Sequence, residues 1–187
     1  MTVLFVGGNY LPKYLPLHLC SVNMILIAWH AARPNKMLDN FLYTTCVPGA
    51  LMAVLFPNWL ELPRANLMHI HSFTVHILLV AYPVMLLAER DISPEVKYLP
   101  KCLGFLAVLA LIALVFNMVF GTNFMFLMQA DEGTPLVWFR DHWGSHLWGF
   151  PVLIPLLLPV MYTPVLVRRG KRNTQNRAQK SVLKLLK

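Results

Sequence analysis

Charge is scarce in this sequence. Of its 187 residues only 13% are Asp, Glu, Lys or Arg, about half the share that a water-soluble domain carries. So few charges exclude an ordinary solvated surface. Cysteine is scarce too: the three present (Cys20, Cys46 and Cys102) are far apart and form no CxxC, which excludes a disulfide framework and the usual zinc spacing. Apart from Asp39 at the very start of the second, no carboxylate lies in a long apolar block, so no metal site is expected, and no cofactor motif is present. The segment Met1–Tyr14 has no basic start, and its apolar run Val3–Val6 is too short for a cleaved signal peptide. No internal repeat and no soluble domain can be read.

Long hydrophobic blocks are what the sequence does contain, and 57% of its residues are hydrophobic. Spans are expected near 15–32, 38–56, 67–88, 99–120 and 147–167, each close to the roughly 20 residues that cross a bilayer core. Lys101, near one end of the fourth, is the one charge inside a block apart from Asp39 at the start of the second. Backbone groups in lipid must be satisfied within their own segment, so blocks of this length are helices. The fold class expected is an all-α polytopic transmembrane bundle of about five spans, followed by a basic tail over 168–187. Pro151, Pro155, Pro159 and Pro164 in the last block lead us to expect an irregular helix there.

The net charge of +8 does not mark a nucleic-acid binder, because half of the sixteen basic residues lie in the tail. With the tail in the cytoplasm, thirteen Lys and Arg fall inside and three (Lys13, Arg64 and Arg140) fall outside. The positive-inside rule therefore predicts a multi-pass cell-membrane protein with its N-terminus outside and its C-terminus cytoplasmic. Trp59, between the second and third spans, is expected at the membrane interface. Membrane lipids are the expected partners. Self-association or a partner membrane subunit is left open.

Polar residues inside spans carry the functional signal. On this topology His18, Cys20 and Asn23 lie in the outer half of the first span. The third begins with His69, His71 and His76, and the fourth leaves through Asn117, Thr122 and Asn123. Three helices thus carry polar groups at one depth, beneath the long loop Gly121–His146, which reads as a lid or as a linker. A thiol in apolar surroundings needs a nearby base to react. Cys20 with a histidine of the third span is one reading; packed cysteine and hydrogen-bonding histidines are the other.

Pro16-Leu17-His18-Leu19-Cys20, Pro57, the third span with His76, and Gly121-Thr122-Asn123-Phe124-Met125-Phe126-Leu127 come in the order seen in the YwaF family of small bacterial membrane proteins, which this chain resembles over about Pro16 to Leu166. An animal multipass phospholipid acyltransferase is a more distant likeness. The resemblance implies a helical membrane fold and, through the animal relative, cysteine-centred movement of fatty acyl chains between phospholipids at the outer leaflet. It makes Cys20 the nucleophile and His76, or else His71, its base. Asn123 would line the site, with His18, Asn23, His71 and Asn117 beside it as substrate contacts. The chain departs from the family in two ways. It shows five spans where seven are usual, and Phe124 stands where a tyrosine is common. The alternative functions are a non-catalytic binding or transport protein for a small polar ligand, and a small subunit of a membrane complex.

Overall fold

The computed structural model describes residues 15–57 and 66–185. Lys13, Trp59, Arg64 and the segment Met1–Tyr14 lie outside the described residues. Six α-helices follow in order: α1 (Leu19–Ala32), α2 (Lys36–Leu55), α3 (Leu67–Glu89), α4 (Leu99–Phe120), α5 (Pro135–Trp143) and α6 (Gly149–Leu185). Short 3-10 turns cover Val96–Tyr98, Phe124–Phe126 and His146–Trp148. No strand occurs among the described residues.

Among the described residues, four segments are long and apolar enough to cross a membrane: Lys36–Leu55, His69–Glu89, Val96–Phe120 and His146–Arg168. α1 has 14 residues, a rise of about 21 Å at 1.5 Å per residue, so it is a shorter apolar helix than the expected first span.

α2 is the central helix, packed against α1, α3 and α4. It is also the least apolar of the four. The two facts have one cause. Asn40, Thr44 and Thr45 need hydrogen-bond partners, which neighbouring helices and backbone supply and lipid does not. Leu42, Cys46 and Ala50 of α2 join Leu79 of α3 in the core, and Cys20 of α1 packs against it. Ile77, Leu78 and Met85 of α3 and Val108, Leu111 and Val119 of α4 stay exposed, as surfaces in contact with lipid do.

The chain divides into two compact units, residues 1–151 and 152–187. The second is the rest of α6. There the expected irregular helix is corrected: one continuous helix contains Pro155, Pro159 and Pro164. Each internal proline removes a single N–H and leaves the carbonyl four residues back unpaired. Pro155 and Pro159, four residues apart, share one stripe of the helix, Pro164 lies off it, and the rest of the ladder stays closed. The same helix continues through the basic segment to Leu185.

Candidate functional site

α1 and α3 both lead away from one end of the first unit, and α4 returns to it. At this end two of the sequence motifs meet. His18 sits at the N-cap of α1 and makes no side-chain capping bond. Its ring lies edge-on to Phe124, with centroids 5.2 Å apart, and 5.8 Å from Phe126. Aromatic contacts of this kind contribute about 1 kcal/mol beyond burial.

The loop that presents Phe124 is tightly held. Gly121 ends α4 at φ +62°, a conformation glycine adopts without strain. Asn117, fully buried, donates from Nδ2 to the Phe124 carbonyl (3.0 Å) and accepts from Phe124 N–H at 2.7 Å and from the Thr122 hydroxyl at 2.8 Å. Asn123 accepts from the N–H groups of Met128 and Gln129 and donates to the Gln129 carbonyl. His146 donates from Nε2 to the Phe126 carbonyl at 3.0 Å. Met125 and Phe126, both at φ +56°, carry the strain that this network imposes.

Cys20 is the second residue of α1, half-buried, as a free thiol. His76 of α3 is also half-buried, and its Nδ1 lies 2.7 Å from the Ser72 carbonyl. A carbonyl only accepts, so Nδ1 is the donor and Nε2 is the basic nitrogen of the neutral ring. His30 of α1 meets Tyr82 of α3. Cys20 packs against the α2–α3 core cluster that Val75 of α3 also borders. Asn23 is buried where α1 meets α2 and accepts from the Thr45 hydroxyl at 3.3 Å. His71 is exposed. The site residues therefore fall into separate settings: His18 meets the Phe124 turn, Asn117 and Asn123 engage the loop backbone, Asn23 bridges two helices, and His71 stands outside.

The sequence named His69 only as one of the polar group on the third span, and it missed other residues that matter. His69 has a buried Nδ1 with no hydrogen-bond partner, an unusual state for a buried polar atom. At the opposite end His30 is buried. Its Nε2 lies 2.7 Å from Asp39 Oδ1 and its Nδ1 2.8 Å from the Tyr82 hydroxyl. This three-helix relay lines a cleft of about 420 Å³ that Lys36 and Asp91 also border. Nearby, Asn40 accepts from Glu95 N–H at 2.6 Å and ties the α3–α4 connection to α2. Among the described residues no group of His, Cys, Asp and Glu is arranged to hold a metal.

Apolar helices of spanning length with polar side chains satisfied inside the bundle define an all-α, multi-pass integral membrane protein. The chain belongs to the TMEM164 family, whose model matches residues 1–183. No curated protein and no solved structure matches it.

Proposed function

We propose that the protein is a cysteine-centred acyltransferase acting on phospholipid acyl chains, with its site in the outer leaflet, N-terminus outside and C-terminus cytoplasmic. What supports this reading is the His76–Ser72 hydrogen bond, which holds the ring through Nδ1 on a helix that packs against the one carrying Cys20. In the first step the Cys20 thiol proton passes to His76 Nε2 as Sγ attacks the ester carbonyl carbon of a phospholipid. The tetrahedral intermediate collapses, the C–O bond to glycerol breaks, and the imidazolium returns the proton to the glycerol oxygen. The hydroxyl of a second lysolipid, deprotonated at Nε2, then attacks the thioester, the C–S bond breaks, and the imidazolium returns the proton to Sγ. His18 and His71 flank the entrance in this reading. Asn23, Asn117 and Asn123 hold the walls in position.

The test uses full-length protein in nanodiscs with a phospholipid bearing an alkyne-tagged acyl chain, followed by intact mass and peptide mapping. Acylation confined to Cys20, absent in Cys20→Ala and reduced at least about tenfold in His76→Ala, is the expected outcome. Label spread over Cys46 and Cys102, or no label at all, overturns it.

One observation favours a second reading, a non-catalytic protein that binds or carries a small polar ligand: Nδ1 of His69 is buried without a hydrogen-bond partner, a state that a bound polar ligand would relieve. In that case Cys20→Ser is mild and His69→Leu severe for binding. For the acyltransferase the order is reversed.

A further inference from the structure

We infer that α5 and the turn after it form a surface-lying anchor that seats the Gly121–His146 connection in the headgroup and glycerol zone of a phospholipid bilayer. Three tryptophans carry the inference. Trp138, Trp143 and Trp148 are each about half exposed (50%, 50% and 53%). Trp143 bridges the other two, with centroids 6.3 Å from Trp138 and 6.2 Å from Trp148. His142 stacks on Trp138 at 4.6 Å, and Leu147 beside them is also exposed. A water-facing loop gains nothing from a row of exposed indoles, whereas the membrane interface accommodates a ring that is apolar on its faces and polar at its N–H.

The attachment points select lipid as the occupant. α4 ends in Met118, Val119 and Phe120, all exposed, at the close of the span Val96–Phe120, and the span His146–Arg168 opens at the last turn of the connection. The connection that carries the rings therefore begins and ends at the edge of an apolar span. α5 has an inner side to hold it there: Leu136 and Phe139 are buried and pack where Gly149 has no side chain. The loop's charges are compatible with this depth, because Arg140 is paired with Glu132 at 2.8 Å and with Asp141 at 2.9 Å. Neighbouring carboxylates hold the Arg140 guanidinium above its usual pKa, so it stays charged and paired. Short amphipathic helices with large aromatic residues bind at this level of a bilayer.

The anchor holds whether or not Cys20 reacts, and its test does not read catalysis. Full-length protein carrying Trp29→Phe and Trp59→Phe keeps Trp138, Trp143 and Trp148 as its emitters. It is reconstituted into phosphatidylcholine vesicles brominated near the carbonyls or near the chain ends. Quenching at least about twofold stronger with the shallow bromines is expected for interfacial rings. No quenching at either depth, as for rings in water or under a partner protein, overturns the inference, and so does stronger quenching by the deep bromines. Should the reporter variant fail to fold, the wild-type signal minus that of Trp138→Phe/Trp143→Phe/Trp148→Phe gives the same comparison.

Discussion

Asn117 and Phe124 are joined by two hydrogen bonds: the Asn117 amide donates to the Phe124 carbonyl at 3.0 Å, and the Phe124 N–H donates back to Oδ1 at 2.7 Å. One side chain on the last turns of α4 thus substitutes for the backbone partners that the turn lacks. The consequence reaches α1, because the Phe124 ring fixed in this way is the one that His18 meets edge-on.

Replacing Asn117 with Ala leaves both Phe124 backbone groups without partners while the residue around them stays buried. We expect a loss of about 2 kcal/mol in stability, read as a lower midpoint of thermal unfolding in detergent. Asn117→Asp keeps the acceptor but loses the donor, so it should fall between Ala and the parent. An unchanged midpoint for Asn117→Ala would show that the loop closes without this pair.

His30 with Asp39 and Tyr82 is the second place where removal should be felt. Asp39→Asn replaces a charged acceptor of the His30 N–H by a neutral one, and Tyr82→Phe removes the hydroxyl at the other nitrogen. Both changes act through the same ring, so their costs should not add. We expect a coupling of about 1 kcal/mol in a double-mutant cycle measured by chemical unfolding. Strict additivity would mean that the two contacts are independent and that the relay is not a unit.

Lipid made the fold legible in the sequence. It demands long apolar blocks, and those blocks can be read from residue types alone. The shorter α1 and the nine-residue α5 were harder. Thr134-Pro135 and Gly144 do flank α5 as start and stop signals, but the interval lacks the length of a span. Prolines misled in α6, where their spacing weighed less than the intact remainder of the ladder. The His30 relay has no local signature, since its members are 9 and 52 positions apart and meet only through helix packing. Polar residues near one end were recognisable as a group in Asn117 and Asn123, but not the bonds they make. Residue type marks an amide as polar and says nothing of whether backbone or ligand satisfies it.

Two glycines should respond in opposite directions to the same substitution. A Cβ on Gly149 would come within 2.5 Å of Leu136 Cδ2 and 3.2 Å of the Phe139 ring, so Gly149→Ala must displace the buried side of α5, at a cost of about 1–2 kcal/mol. Gly104, inside α4, has nothing within 4 Å of that position. Gly104→Ala should therefore stabilise the protein by roughly 0.5–1 kcal/mol through helix propensity. Thermal unfolding of the two variants beside the parent checks both signs, and a stabilised Gly149→Ala would refute the packing described for α5.

Orientation in the membrane gives the last prediction. Counted on the expected topology, basic residues divide thirteen to three between the two sides, and pairing of Arg140 leaves that count intact, because acidic neighbours contribute little to the rule. In a background of Cys20→Ala, Cys46→Ala and Cys102→Ala, a single Arg140→Cys should react with a membrane-impermeant maleimide added to intact cells. A single Leu185→Cys at the end of α6 should react only after the cells are opened. The reverse pattern would put the Trp138–Trp148 row and the candidate Cys20 site on the cytoplasmic leaflet, and any acyl donor would then have to come from that side.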